Sequence, residues 1–113
     1  MSGITTHVLD TSRGRPAAGI SVVLEMRAGG DWKRLAEAAT DENGRAGNPL
    51  ASPEVFERGT YRLRFDVVSY FRALRVETFY SEVSITFEVR NPDEHYHVPL
   101  LLSPWGYTTY RGS

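Results

Sequence analysis

The chain has 113 residues, 13 of them basic and 14 acidic, with the two signs interspersed and a formal net charge of −1. A chain of this size builds one core rather than two, and without a clustered basic footprint it is not a binder of nucleic-acid backbones. The absence of cysteine excludes disulfides, cysteine nucleophiles and thiolate metal sites. No run approaches the roughly 20 apolar residues of a membrane helix, and MSGITTHVLD lacks the basic start and apolar middle of a secretory signal. The expectation is a soluble, cytoplasmic protein with a single domain over residues 1–113.

Period-two alternation dominates the chain and indicates strands with one face in a core. In GITTHVLD, Ile4, Thr6 and Val8 share one face, while Thr5, His7 and Leu9 share the other. ISVVLEMR and DWKRLAEAAT flank an Ala-Gly-Gly turn and read as a hairpin, although the second segment is rich in helix-favouring alanine. In TYRLRFDVV, Tyr61, Leu63, Phe65 and Val67 oppose Arg62, Arg64 and Asp66. The next segment, SYFRALRVETFY, places Tyr70, Phe71 and Leu74 at helical spacing and predicts one short helix. EVSITFEVR returns to alternation, with Val83, Ile85, Phe87 and Val89 on one side.

HYHVPLLLS is the unusual strand. Tyr96, Val98, Leu100 and Leu102 form a core face, but the opposite face, His95, His97, Pro99 and Leu101, is neither freely polar nor simply core. Apolar residues on both faces mean cover on both, so the second face is expected to meet another subunit. Pro99 has no backbone donor, which favours an edge strand or a bulge. The connections TSRGRPAAG, TDENGRAGNP, RNPDE and SPWG are dense in turn formers and cut the chain into seven or eight strands. That count predicts an all-β sandwich or small barrel.

The chemistry-bearing residues are few. Two of the three histidines, His7 and His97, point away from the aliphatic faces of their strands, although a lone strand histidine is commonly just a packed or surface residue. His95 and His97 are two apart and present both imidazoles to one side, as zinc ligands do. A third ligand would have to be His7, and no carboxylate is spaced to complete the set. Arg45 lies in a turn with Asn43-Gly44 at its tip, where most arginines are solvated. The Asp-Glu-Asn triplet before it lacks the alternating oxygen ligands and closing glutamate of a calcium loop.

GITTHVLDTSRGRPAAGI, TDENGRAG, TYRLRFD and above all HYHVPLLLSPWGYTTYRGS resemble, in order and spacing over essentially the whole chain, the 5-hydroxyisourate hydrolase branch of the transthyretin-like family. The terminal YRGS marks that enzyme branch and is absent from the hormone carrier sharing the fold. The resemblance implies a sandwich of two four-stranded sheets with one short helix. It implies a homotetramer, a dimer of dimers, with active sites in the channel between dimers. It also implies hydrolysis of 5-hydroxyisourate to 2-oxo-4-hydroxy-4-carboxy-5-ureidoimidazoline in urate breakdown, without metal or other cofactor. The implied catalytic residues are His7, Arg45 and His97, and the implied substrate-binding residues are Tyr110, Arg111, Gly112 and Ser113. Ser81, Trp105 and Thr108 depart from the residues common in relatives, but none coincides with a matched functional position.

In such a reaction water attacks an amide-like ring carbonyl, so the site must deprotonate water, stabilise an oxyanion and protonate a leaving nitrogen. Imidazole suits the proton transfers, since its unperturbed pKa of about 6.5 lies near physiological pH. Either His7 or His97 fits the base. A permanently charged guanidinium at Arg45 suits the developing negative charge. No covalent step is required, and Ser113 fits positioning better than attack. The competing expectation is a binding module that holds a small ligand in the same channel without transforming it.

Overall fold

The computed structural model describes residues 3–47, 50 and 56–113. Eight strands and one helix are formed among them: β1 (Gly3–Asp10), β2 (Arg15–Pro16), β3 (Ser21–Ala28), β4 (Asp31–Ala39), β5 (Gly59–Phe65), α1 (Val67–Ala73), β6 (Val83–Val89), β7 (His95–Ser103) and β8 (Gly106–Thr109). They make two four-stranded sheets, ordered β2-β1-β7-β8 and β4-β3-β5-β6. The aliphatic faces read from the alternation are the ones that meet between the sheets. Ile4, Val8, Val22, Leu24, Tyr61, Leu63, Phe65, Leu100 and Leu102 are all fully buried in one core. Each such side chain contributes about 1.5–3 kcal/mol by leaving water.

Four local expectations are corrected by the structure. The helix begins at Val67, earlier than the predicted segment, because Asp66 ends the preceding strand and caps α1 by accepting from the Ser69 backbone N–H at 3.3 Å. It stops after Ala73, where Arg75 adopts φ 59, so VETFY is not helical. A two-residue strand, β2, lies inside the predicted loop TSRGRPAAG, pairing Leu9 with Pro16 and Asp10 with Arg15; two residues are too few to show a period. Pro99 is neither on an edge strand nor in a bulge, since β7 is flanked by β1 and β8. The ladder to β8 instead lapses between the Leu100–Thr109 pair and the His97–Gly112 bridge, and Pro99, which has no N–H to give, falls in that gap. Asn48 and Pro49 of the predicted turn lie outside the described residues.

The Ala-Gly-Gly hairpin forms as expected, with the ladder overriding the helical propensity of β4 and a register shift at Leu24/Glu25. β4 is an edge strand, and its exposed Lys33 and Arg34 discourage pairing with other chains. No helix of the described residues is long and apolar enough to cross a membrane.

The helix is tied to the first sheet through a buried polar contact. Asp10 is fully buried, and its two oxygens have different partners. Oδ1 accepts from the Ser12 hydroxyl at 2.6 Å and from the Ser12 and Arg13 backbone N–H groups, while Oδ2 accepts from the Tyr70 hydroxyl at 2.7 Å. Tyr70→Phe leaves one carboxylate oxygen buried without its donor, and should lower unfolding stability by about 1–3 kcal/mol, read as a lower urea midpoint at unchanged slope. An unchanged midpoint would show that the contact carries no stability.

Candidate active site

The parallel pairing of β1 with β7 sets Gly3 beside His95, Thr5 beside His97 and His7 beside Pro99. Because alternate residues share a face, the residues of β1 and β7 not used by the core are gathered on the outer surface of this sheet. There Thr5 Oγ1 lies 2.8 Å from His95 Nε2 and 2.8 Å from His97 Nδ1, joining the two imidazoles.

Two loops close on this surface from opposite sides. The Asp41–Arg45 turn is held by Asp41, whose Oδ1 accepts from the backbone N–H groups of Asn43 at 2.8 Å and Arg45 at 3.0 Å. These bonds, the Arg45 contact foremost, hold the Asp41 carboxyl below its usual range. The turn docks on β1 through the Val8 N–H, which donates to the Gly44 carbonyl at 2.8 Å, and through a bridge between His7 and Arg45. Gly44 has φ 81, and any Cβ there would collide with the Val8 carbonyl oxygen. On the other side the Gly112 N–H donates to the His97 carbonyl at 2.7 Å. A Cβ on Gly112 would stand 2.6 Å from His97 Cδ2, so the absence of a side chain lets the terminal segment lie against the imidazole.

The result is an open cleft of about 570 Å³ whose lining includes Thr5, Thr6, Asp41, Arg45, His95, His97 and Ser113. Its size is in the range of small-molecule sites. Burial pushes the His97 imidazole below its ordinary value, and the Arg45 cation pushes the same way, as do His95 and His7 whenever they carry a proton charge. His97 is therefore neutral near pH 7, with a ring nitrogen able to accept a proton. Arg45 forms no ion pair among the described residues. Its charge is left for whatever enters the cleft.

Of the seven residues singled out from the sequence, Arg45, His97 and Ser113 line this cleft and Gly112 packs against His97. His7 stands beside Gly44, close enough for its charge to act on His97, but does not line the cleft. Tyr110 and Arg111 are elsewhere. Both line an apolar cavity of about 290 Å³ at the open edge between β6 and β8, with Ile85, Phe87, Tyr96 and Val98. Arg111 lies 4.2 Å over the Tyr96 ring and pairs with Glu94 at 2.8 Å. Sequence reasoning gave no role to Thr5 or Asp41. Parity placed Thr5 on the His7 face, and an Asp two residues before Asn-Gly is a turn-capping signal. Among the described residues, no three His, Asp or Glu side chains gather as a metal-binding group.

A two-sheet sandwich with imidazoles and a guanidinium on the outer face of one sheet defines the class. Residues 4–112 match the model of the HIUase/Transthyretin family, and the chain belongs to that family. It is 47% identical to a 5-hydroxyisourate hydrolase of Caulobacter vibrioides, over 100% of both chains. It is 45% identical to a 5-hydroxyisourate hydrolase of Deinococcus radiodurans, over 98% of this chain and 96% of that one. Among solved structures it superposes on an (S)-allantoin synthase with TM-score 0.91 at 36% identity, covering 98% of this chain but only 43% of the synthase chain. It also superposes on sea bream transthyretin in complex with thyroxine, with TM-score 0.91 at 29% identity, over 96% and 93% of the two chains.

Two outcomes follow from the packing around His97. In an NMR titration its midpoint should lie below the ordinary imidazole value of about 6.5, and Arg45→Ala should raise it by removing a repelling cation. A midpoint that Arg45→Ala leaves in place would separate the two groups. Gly112→Ala should displace the His97 ring resonances while far-ultraviolet circular dichroism stays that of the parent. Unmoved His97 resonances would show that Gly112 does not press on the ring.

Proposed function

We propose that the chain is a 5-hydroxyisourate hydrolase, opening the substrate's ring amide by direct attack of water to give 2-oxo-4-hydroxy-4-carboxy-5-ureidoimidazoline in urate breakdown. The observation that carries the reading is the convergence of His97, Arg45 and Ser113 on one cleft, with His7 at its edge, in a chain of this family. The fold alone does not decide the matter, since the same sandwich holds thyroxine in the sea bream protein. A carrier has no need of convergent proton-transfer groups.

In the proposed reaction a neutral imidazole takes a proton from water as the water attacks the carbonyl. His97, with its proton affinity lowered, is the better placed base, and His7 supports the charge balance from the cleft's edge. The Arg45 guanidinium pairs with the oxygen on which negative charge develops, and the protonated imidazole returns its proton to the leaving nitrogen. Ser113 orients substrate or water by hydrogen bonding. No cofactor enters any of these steps. Arg111 acts by anchoring the terminal segment, its contacts with Glu94 and Tyr96 holding it where Gly112 reaches His97, while Tyr110 lines the neighbouring apolar cavity. The proposed setting is a cytoplasmic homotetramer, with the outer face of the β1–β7 sheet turned towards a second dimer. The part-buried Leu101 and buried Pro99 on that face support it.

The reading is tested by generating 5-hydroxyisourate from urate with urate oxidase and following its ultraviolet decay. The protein should accelerate decay, with or without a chelator. Arg45→Ala should slow turnover by about 10²–10³-fold, the usual effect of losing one oxyanion donor. Removing residues 110–113 should abolish most of the activity while leaving the sandwich folded. Decay at the uncatalysed rate would overturn the enzyme in favour of a binding protein, and loss of activity on chelation would overturn the cofactor-free mechanism.

A further inference from the structure

Two titratable side chains of the cleft take no part in the proposed reaction: Asp41, which is engaged by the backbone of its own turn, and His95. The Nε2 of His95 meets the Thr5 hydroxyl at 2.8 Å, and its Nδ1 is buried without a hydrogen-bond partner among the described residues. A buried polar atom without a partner costs stability. Such an arrangement points to something besides packing.

The Thr5 hydroxyl has a single proton and contacts two imidazoles at equal distance. It can donate to only one of them and must accept from the other. The two rings are thereby coupled: the proton arrangement on one dictates that on its neighbour. His97 Nε2 makes no hydrogen bond among the described residues and is open to the cleft, so it is the nitrogen that would meet a water or substrate.

We propose that Thr5 and His95 are positioning residues that hold His97 in the tautomer protonated at Nδ1, leaving the Nε2 lone pair free to act as the base. The inference rests on the hydrolase reading above. In this arrangement His97 Nδ1–H donates to Thr5 Oγ1, and the Thr5 O–H donates to His95 Nε2. His95 then carries its own proton on the orphaned Nδ1. The guanidinium of Arg45 sets the direction of the chain, since a cation beside the cleft favours a lone pair over an N–H on the exposed nitrogen of His97. Gly112 against Cδ2 restrains the ring from the opposite side, so that rotation out of this orientation is hindered.

The groups acting on the charge of His97 are Arg45 on the turn, His95 on β7 and His7 on β1, and Asp41 and Ser113 line the same cleft. The proton leaving water goes to Nε2 and leaves again from Nε2. Thr5 and His95 exchange no net proton with the substrate. Their action is on the geometry and on the basicity of His97, through a hydrogen bond that strengthens when the ring becomes positively charged.

The decisive experiment pairs a tautomer measurement with kinetics. In the parent protein, nitrogen-15 spectra above the His97 midpoint should show Nδ1 with a pyrrole-type shift and Nε2 with a pyridine-type shift. Thr5→Val keeps the shape of the side chain but removes the hydroxyl, and should mix the His97 tautomers. It should lower kcat by about 10- to 100-fold with KM little changed, as expected for a misplaced catalytic group, and shift the acidic limb of the kcat profile. Thr5→Ser should restore most of the rate, and His95→Phe should reproduce the Thr5→Val profile. A pyridine-type Nδ1 in the parent, or a Thr5→Val protein with parental kcat and pH profile, would overturn the proposal. The spectra need no substrate, so a parent protein without hydrolase activity would sink the functional reading and leave the tautomer to be judged by itself.

Discussion

The parallel pairing of β1 with β7 is the contact on which the rest of the molecule depends. It joins the first strand to the penultimate one, bringing together Thr5 and His97, which are 92 residues apart. Closing so long a loop carries an entropic penalty that local structure cannot offset. Burial offsets it, because the same register that aligns Ile4 with Tyr96, Thr6 with Val98 and Val8 with Leu100 sends all these side chains into the core. A slip of one residue would turn that set outward and bury the histidines. Correct placement of the imidazoles is thus enforced by the packing energy of the opposite face.

Two backbone approaches then complete the cleft, and each needs a position without a side chain. At Gly44 the turn comes so close to β1 that its carbonyl accepts from Val8, and at Gly112 the terminal segment lies against the His97 ring. The reasons differ. Gly44 has a positive φ as well as no room, whereas Gly112 is constrained by space at the imidazole alone. Arg45 follows one glycine and Ser113 the other, so each functional side chain is delivered by the residue next to a tight contact. Arg111 extends this logic, fixing the terminal segment through Tyr96 and Glu94 on the far side of β7.

Faces were legible in the sequence, and neighbours were not. Alternation in GITTHVLD and HYHVPLLLS separated Ile4 and Val98 from His7 and His97 correctly, because the period of two is a local property. It could not show that β1 and β7 pair in parallel, since register across so long a loop is decided by the whole core. Thr5 therefore read as one polar strand residue among several, although its hydroxyl bridges two histidines. α1 was misplaced because the alternation of TYRLRFDVV runs on through Asp66 to Val67, and the capping role of Asp66 competes with that signal. Tyr110 and Arg111 were grouped with Gly112 and Ser113 through the family resemblance. The terminal segment pairs with β7 only at Gly112 beyond Thr109, so it carries no period from which the separate directions of its side chains could be read.

The distribution of charge in the cleft explains how one surface can serve both as base and as electrophile. Asp41 is an acidic side chain lining the cleft, but its carboxylate is occupied by backbone N–H groups of its own turn and forms no ion pair with the guanidinium. Had it paired with Arg45, the cleft would lose its unneutralised cation. As built, the cation is fixed on Arg45, whose pKa is too high for it to be discharged. Its presence, together with burial, keeps the His97 imidazole uncharged. The two requirements of an amide hydrolysis, a positive charge for the oxyanion and a neutral acceptor for the proton of water, are opposed if one group must meet both. Here they fall on different side chains, and the charge on the first helps to keep the second in the protonation state it needs.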